Sequence, residues 1–254
     1  MDVYSILSKT QRLCVSDGEV KPILDEQPGK TLVLLWSQLG DFDNLEYAWW
    51  LQRSEKLQAK QITVKAIGIG DRNSGSKFCQ YTGFPEENLY MDPTAELHRQ
   101  LDLYQGLTLK FPGLSTKYSA FLNLMLMCAG IGSPGTLAEV FRGYKGDRSA
   151  PQLIPDDEVV EDTPLPNIKG SMFKVAGGEG FQRPFELATL RLRNMTEVLS
   201  NWSTYVPDAS YLTQRGGTFL FDAAGKLLYE HRDRHILGFA ANMSDPLSFL
   251  DEID

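Results

Sequence analysis

The sequence predicts an α/β fold in which strands and helices alternate through the first half and a β-hairpin closes the second. Apolar runs of strand length occur at 31–36, 61–68 and 88–91, and a segment of helical length follows each of them. Near the C-terminus, the short apolar runs 216–222 and 226–231 are separated by a glycine-containing turn, which is the pattern of a hairpin. Alternation of this kind indicates right-handed crossovers and a largely parallel sheet in the first half.

The helices of the first half are predicted from their position between strands and from their end signals. The first covers 43–58. The second covers 75–82 and ends at Gly83, which is suited to the left-handed conformation of a C-cap. The third covers 95–103, with Thr94 as its N-cap.

A long middle section, 105–213, separates this half from the hairpin. It is predicted to be a mainly helical insertion, and an acidic, proline-bearing loop at 155–166 within it is expected to be exposed and mobile. Its other predicted segments are an apolar helix at 116–130, the stretch 136–141 and an amphipathic helix at 184–202. The chain closes with a helix around 245–253.

Composition limits the function classes. At 254 residues the chain is long enough to bury a full core, and we expect one domain, 1–254, with an elaborate insertion. The net charge of −8 and the lack of a basic run argue against nucleic-acid binding, because a phosphate-binding surface needs clustered Lys and Arg. No complete dinucleotide or phosphate-loop motif occurs, so no cofactor is predicted.

The location and the redox state follow from two further features. The most apolar run, 121–131, is shorter than the roughly 20 residues that span a bilayer, and the first residues do not form a signal peptide. The three cysteines are far apart and show no metal-ligand spacing, so no metal site is predicted. A sparse, odd number of cysteines fits a reducing compartment, and the expected location is the cytoplasm.

Three sequence blocks, 32–51, 77–97 and 214–229, carry a resemblance to a known family. Through them the chain resembles the peroxiredoxin-like branch of the AhpC/TSA group, and the block that contains Gly-Gly-Thr-Phe-Leu-Phe-Asp before a glycine turn is the most specific. The resemblance implies a thioredoxin-like fold. The mainly helical insertion then lies between the βαβα half and the C-terminal β-hairpin and helix.

The same resemblance places the reactive Cys-x-x-Cys of the family on Asp41 and Asn44. A helix N-terminus at this point would stabilise an anion through its dipole and free amides. A carboxylate cannot form a disulfide or a sulfenic acid, however. Two interpretations remain open for Asp41, Asp43 and Asn44, namely helix capping with first-turn charge, or ligand binding.

The cysteines of the chain are weak nucleophile candidates. Cys79 follows a glycine-rich loop and is expected to be a small buried hydrophobic residue. Cys128 lies in an apolar helical run and is expected in the core. Cys14 is expected to be the most exposed of the three. If the chain is a thiol enzyme, Cys79 and Cys14 are the catalytic candidates.

Arg215 is the other residue to which the resemblance assigns a role. In peroxiredoxins an arginine before the late strand stabilises the reactive thiolate and the peroxide oxygens, and Arg215 precedes Gly216 and Gly217, which permit close backbone approach. Arg215 and the two glycines are therefore candidate binding residues near Asp41. The alternative is an ion pair of Arg215 with Asp41 or Asp43.

Three functions follow from these candidates. The leading hypothesis is a peroxiredoxin-like protein that has lost its redox cysteines and acts by binding a protein partner, with homo-oligomerisation left open. The second is an atypical thiol peroxidase that uses Cys79 or Cys14 together with Arg215. The third is a small-ligand binder at an Asp41/Arg215 pocket. Burial of Cys79 would exclude the peroxidase hypothesis and leave the two binding hypotheses.

Overall fold

A seven-stranded mixed sheet forms the centre of the fold in the computed structural model, which describes residues 2–24, 29–161 and 164–253. The strands are β1 Gln11–Cys14, β2 Val20–Pro22, β3 Lys30–Gln38, β4 Ile62–Ile69, β5 Leu89–Met91, β6 Val159–Val160, β7 Ile168–Lys169, β8 Gly217–Phe221 and β9 Leu227–Arg232. The strand order of the large sheet is β2-β1-β5-β4-β3-β8-β9, and β6 and β7 form a separate two-stranded sheet.

The predicted parallel arrangement holds for the three strands of the first half only. β3 pairs with β4 and β4 pairs with β5 in parallel, whereas the other pairs of the large sheet are antiparallel. Sequence analysis missed β1 and β2, which extend the sheet beyond β5. These strands are three or four residues long and are mostly exposed or half-buried, so they carry little apolar pattern.

Helices cover both faces of the sheet. They are α1 Val3–Leu7, α2 Phe42–Arg53, α3 Glu55–Ala59, α4 Arg72–Thr82, α5 Glu96–Gln100, α6 Thr116–Cys128, α7 Thr136–Lys145, α8 Glu186–Ser200 and α9 Trp202–Tyr205. The single helix predicted at 43–58 is two helices, because Ser54 adopts an extended conformation between α2 and α3. The predicted C-terminal helix is a short 3₁₀ segment, Ser248–Glu252.

The two predicted helix caps have different outcomes. Gly83 ends α4 in the left-handed conformation, with φ of 75°, so this prediction is confirmed. Thr94 does not cap α5. Instead, the buried side chain of Asp92 accepts a hydrogen bond from the amide of Leu97 at 2.9 Å and another from the Thr94 hydroxyl at 3.1 Å. Asp92 therefore performs the capping role that the sequence pattern assigned to Thr94.

Strand β3 separates the two main parts of the core. Leu32 and Leu34 point to the face covered by α2 and α4, while Val33 and Leu35 point to the face covered by α1 and α5. All four side chains are at most 1% exposed. A strand buried on both faces has a continuous apolar sequence, which is why β3 was recognisable from the sequence.

The insertion packs against α2. Trp49 and Trp50 contact a cluster that includes Leu153, Phe173 and Leu187, so the insertion provides a second apolar layer over this helix. Among the described residues, no helix is sufficiently long and apolar to span a membrane.

The acidic loop 155–166 is anchored at its first half. Its described residues are mainly exposed, as expected, and positions 162 and 163 lie outside the described residues. Strand β6 lies within the loop, however, and Glu158 is ion-paired with Arg53 at 2.6 Å. Asp156 accepts a hydrogen bond from Arg183 at 2.7 Å. These contacts hold the described first half against the body of the protein, and the mobility of the loop stays a prediction.

Candidate functional site

The junction between β3 and α2 is built by hydrogen bonds among its own polar residues. The Asp41 side chain is the N-cap of α2 and accepts a hydrogen bond from the amide of Asp43 at 3.2 Å. The Ser37 hydroxyl donates to the other Asp41 oxygen at 2.9 Å. The Asn44 amide group donates to Ser37 Oγ at 3.2 Å and to the carbonyl of Gln38 at 2.7 Å. The capping interpretation of Asp41 thus describes the observed geometry.

Arg215 forms an ion pair with Asp41 across 174 residues of sequence. Its Nη2 donates to Asp41 Oδ2 and to Ser37 Oγ, the latter at 3.3 Å. The Arg215 side chain is 1% exposed and that of Asp41 is 12% exposed. This is the ion pair that the sequence left open as an alternative to anion binding. The positive charge that would face a thiolate in a peroxiredoxin here faces the Asp41 carboxylate of the same chain.

Arg215 is held at the start of β8 by its backbone, and its Nη2 also lies 3.9 Å from Oδ2 of Asp43. Its amide donates to the carbonyl of Tyr104 at 2.8 Å. Burial lowers the pKa of the guanidinium to about 10, and the nearby Asp233 opposes this shift. Burial raises the pKa of Asp233 to about 7, against the effects of Arg215 and of the Gly216 amide. Sequence analysis missed Asp233 because nothing in its charged local sequence distinguishes it from a surface loop residue.

Asp43 and Asn44 face the protein interior. Asp43 is 1% exposed and accepts hydrogen bonds from the amide of Leu237 at 2.9 and 2.8 Å. Burial raises the pKa of Asp43 to about 8, and the carboxylates of Asp233 and Glu46 add to the shift. Asn44 is 4% exposed and its side chain donates to Ser37 and Gln38 of the junction. Both side chains therefore connect parts of the fold at this site.

Gly216 allows the start of β8 to lie close to β3, and Gly217 allows it to lie close to β9. A Cβ atom at Gly216 would lie 2.2 Å from the carbonyl oxygen of Leu35, and one at Gly217 would lie 3.0 Å from the carbonyl oxygen of His231. The amide of Gly216 also donates to Asp233 Oδ2 at 3.2 Å. The requirement for glycine here is explained by strand packing, with both residues buried in the sheet.

A second buried ion pair lies one turn further along α2. Glu46 is fully buried and accepts from Arg191 of α8 through two hydrogen bonds of 2.7 and 3.1 Å. Arg191 also lies 3.5 Å from Glu139 of α7. The insertion is thereby tied to the junction helix by charge as well as by apolar contact. In the sequence, Glu46 looks like an ordinary helical surface residue, and its partner is 145 positions away.

An apolar cavity opens beside the junction, and we call it cavity A. Its volume is about 270 Å³, and its walls include Asp41 and Phe42 of the junction. The other walls come mostly from the insertion, including Phe121, Met125 and Cys128. Of the predicted binding residues, only Asp41 lines this cavity. The polar Asp41/Arg215 pocket expected from the sequence is thus an ion pair at the edge of an apolar space.

The three cysteines are all free thiols, and two of their predicted environments are wrong. Cys79 is buried, as predicted, and burial raises the pKa of its thiol to about 12. Cys14 was expected to be exposed but is 2% exposed, because β1 places it against β5. Cys128 was expected in the core but is exposed, since this side of the apolar α6 lines cavity A.

No metal site is formed by three or more His, Cys, Asp or Glu side chains within the part of the chain that the structure describes. Ser37, Asp41 and Asn44 satisfy one another through the contacts described above, whereas Nε and Nη1 of Arg215 are buried without a hydrogen-bond partner among the described residues. Chemically, the arrangement is a helix N-terminus and a buried arginine that together hold an anion, and the anion is the carboxylate of Asp41.

A thioredoxin-like fold with an arginine facing the strand-to-helix junction is the architecture of a peroxiredoxin-like protein. A family model described as AhpC/TSA antioxidant enzyme matches residues 50–235, which is more than half of the chain. The chain belongs to this family, and the resemblance found in its sequence is confirmed. The match begins inside α2, so the junction residues 37–44 lie outside it. No curated protein and no solved structure was found to match the chain.

Proposed function

We propose that this chain is a non-catalytic member of the AhpC/TSA family that acts by binding a protein partner. The observation that carries the first part is the Asp41–Arg215 ion pair at the junction, where the family resemblance places the redox cysteines. A carboxylate in this position has the charge of a thiolate but cannot be oxidised by peroxide. The ion pair would then conserve the electrostatics of a redox site without its chemistry.

The environments of the three thiols support the absence of peroxidase activity. A reactive cysteine needs solvent access and neighbours that stabilise its thiolate. Cys14 and Cys79 have little access, and the pKa of Cys79 is raised by burial. Cys128 is accessible, but burial of its sulfur and the Asp43 carboxyl raise its pKa, so the thiolate is disfavoured. Three unpaired thiols also favour a cytoplasmic location.

Two exposed helix faces support binding of a protein partner. On α6 the exposed side chains are Tyr118, Phe121, Leu122 and Met125, and on α7 they are Leu137, Phe141 and Tyr144. We call these seven residues the apolar surface. Their spacing places each set on one side of its helix, and exposed apolar patches of this kind mark interaction sites.

Charge favours a particular kind of partner. The net charge of the chain is −8, yet the only charged residues between positions 102 and 139 are Lys110 and Lys117. A partner with an apolar patch and an acidic rim would therefore meet no like charge in this segment. The same carboxylate-poor segment distinguishes the apolar surface from the acidic remainder of the chain.

The first experiment measures thiol oxidation. The protein is exposed to dilute hydrogen peroxide and followed by intact mass, together with three variants in which one cysteine at a time is replaced by serine. We expect oxidation no faster than that of an unactivated thiol at every position. Rapid formation of a sulfenic acid or disulfide at one cysteine would overturn the proposal and identify a nucleophile.

The second experiment restores a sulfur at the junction. In Asp41→Cys the thiol would lie at the N-terminus of α2 beside Arg215, where we expect its pKa to fall below the usual 8.5 or so. This variant should be oxidised by peroxide and labelled by maleimide at pH 7 faster than the wild type, with Asp41→Ser as the control. An equally slow Asp41→Cys variant would contradict the view that only the sulfur is missing.

The third experiment tests the apolar surface. Proteins cross-linked to the wild type are compared with those cross-linked to Leu122→Ser/Phe141→Ser and to the control Met172→Ser/Val175→Ser, whose exposed positions lie elsewhere. We expect a protein that is lost with the first variant, is retained with the control and binds the purified wild type directly.

Three outcomes would contradict the proposed partner. If both double variants retain the same proteins, the apolar surface is not a protein-binding site. If sedimentation velocity shows a wild-type dimer that Leu122→Ser/Phe141→Ser dissociates, the surface is occupied by a second copy of the chain. Binding of the wild type to phosphatidylcholine vesicles, lost in the same variant, would assign it to a membrane surface.

A further inference from the structure

A second apolar cavity meets cavity A at Cys128. Cavity B has a volume of about 240 Å³ and extends between α7 and α8, with Val140 and Ala188 in its walls. The two cavities share four wall residues, and these are Phe42, Cys128, Met195 and Ile236. The two cavities are therefore adjacent, one beside the junction and the other between α7 and α8.

The size of the space points to a small molecule. An engineered apolar cavity of about 150 Å³ is sufficient to hold a benzene molecule, and each of the two cavities is larger. Because they adjoin, a chain-like molecule can extend from one to the other past Cys128. Both cavities are open to solvent, and wall residues such as Phe121, Met125 and Tyr144 are exposed, so an occupant would remove apolar surface from water.

The charges in the walls point to a neutral molecule. Asp41 is the charged residue of cavity A and is ion-paired with Arg215. Arg191 is the charged residue of cavity B and is ion-paired with Glu46 at 2.7 Å. Asp41 and Arg191 are the charged side chains among the described residues that line the two cavities. Since both are ion-paired within the chain, neither is available to a ligand. A carboxylate or phosphate in this space would lose its hydration without gaining a partner.

One wall residue indicates the polar end of the molecule. Gln38 lines cavity A and is 3% exposed, and its side-chain amide donates to the carbonyl of Asp208. Its carbonyl oxygen Oε1 is buried and has no hydrogen-bond partner among the described residues. A hydroxyl group is a neutral donor, and one at this end of cavity A would satisfy the oxygen if the Gln38 side chain turned toward the cavity.

We propose that the joined cavities bind a neutral aliphatic alcohol, with its chain along the apolar walls and its hydroxyl group toward Gln38. This inference does not depend on the proposed function. Phe121, Met125 and Tyr144 of the apolar surface also line the cavities, but Leu122 and Phe141, which are replaced in the test of partner binding, line neither of them. Binding would add a small-molecule ligand to the properties of the chain, at the position where a peroxiredoxin-like fold has its reactive site.

Cys128 provides a direct reporter of occupancy. It is the exposed thiol of the chain and lies where the cavities meet, whereas Cys14 and Cys79 are buried. Native labelling with a maleimide at pH 8 should therefore give a single adduct, which Cys128→Ser removes. We expect 1-decanol at ten times its Kd to slow this labelling about tenfold, since only the unoccupied fraction reacts. The decanoate anion should give no protection at the same concentration.

A variant with a larger side chain at a wall residue shared by both cavities tests where the alcohol binds. In Met195→Trp the larger side chain fills the space where the two cavities meet. In this variant 1-decanol should no longer protect Cys128. Met172→Trp makes the same change at an exposed position and should leave protection intact. If circular dichroism shows that Met195→Trp does not fold, the comparison of decanol with decanoate on the wild type still tests whether the protein binds a neutral alcohol.

Several results would overturn the inference. Absence of protection by decanol would show that the cavities do not bind an alcohol, and equal protection by decanoate would show that charge is not excluded. Protection that persists in a folded Met195→Trp would place the binding elsewhere. None of these outcomes bears on capture of a protein partner, which is tested with the Leu122→Ser/Phe141→Ser variant. Leu122 lies outside the walls of both cavities, and so does Phe141.

Discussion

Replacement of Asp43 by asparagine should change how the stability of this protein depends on pH. Asp43 is buried beneath the junction and accepts two hydrogen bonds from the amide of Leu237. Its pKa is raised to about 8, first by burial and then by the neighbouring carboxylates of Asp233 and Glu46. With this pKa, Asp43 would be mostly neutral in the folded protein at pH 7, and the Arg215 Nη2 at 3.9 Å acts in the opposite direction. Asparagine is a neutral side chain of nearly the same shape.

The sign and size of the effect follow from the two pKa values. In the unfolded chain the pKa of an aspartate is about 3.9, so between pH 5 and pH 7 the folded state holds a proton that the unfolded state has released. The contribution of Asp43 to the free energy of unfolding then falls by about 1.4 kcal/mol per pH unit as pH rises, or about 3 kcal/mol over this window. The asparagine of the Asp43→Asn variant has no proton to exchange.

Urea unfolding at pH 5, 6 and 7 measures this difference. The wild type should lose stability relative to Asp43→Asn by about 3 kcal/mol between pH 5 and pH 7. Asp157→Asn, at an exposed position, removes a carboxyl group in the same way and serves as the control. If the wild-type and Asp43→Asn stabilities stay parallel across the three pH values, Asp43 is ionised in the folded protein and the argument from burial is refuted.

Two further predictions concern contacts that hold the insertion in place. Glu46→Ala removes the partner of the buried Arg191 and should lower the free energy of unfolding in urea by about 3 kcal/mol; a loss below about 1 kcal/mol would show that the pair is dispensable. Gly106→Ala should be destabilising by well over about 1 kcal/mol, because φ is +72° and the new Cβ would lie 2.2 Å from the carbonyl oxygen of Thr213. The control is Gly113→Ala, because Gly113 also has a positive φ, +80°, but a Cβ atom there would meet nothing within 4 Å. It should lower the free energy of unfolding by only about 1 kcal/mol in the same assay. Equal losses for the two variants would contradict a steric clash at Gly106.

The fold was predictable where the pattern is local. The apolar run of β3 and the glycine turn between β8 and β9 each depend on a few adjacent residues, and both elements were correctly predicted. The break at Ser54 and the exposed strands β1 and β2 were missed, because their conformations depend on pairing and packing with distant segments. Thr94 has the sequence of a cap, but the side chain that reaches the free amide is that of Asp92.

The candidate site was predictable in its members and only partly in its arrangement. Family resemblance indicated Asp41 and Arg215 together, and the structure shows them ion-paired. Asp233 was missed, because its role arises from the hydrogen bond of the Gly216 amide, 17 positions away, and from the charge of Arg215. The predicted exposures of Cys14 and Cys128 were reversed, since the sequence around a cysteine does not show which neighbours cover it.

By itself, the sequence determined the alternation of β3, α2, β4, α4 and β5, the closing β-hairpin, the acidic charge and the absence of cysteine from the β3–α2 junction. These properties belong to the chain and do not depend on its path. Tertiary structure alone decided which thiol meets solvent, which carboxylates have raised pKa values and where the apolar cavities lie. Each of those properties is set by burial and by charges brought together from distant positions. Glu46 and Arg191, for example, are 145 residues apart. No local sequence pattern encodes such properties.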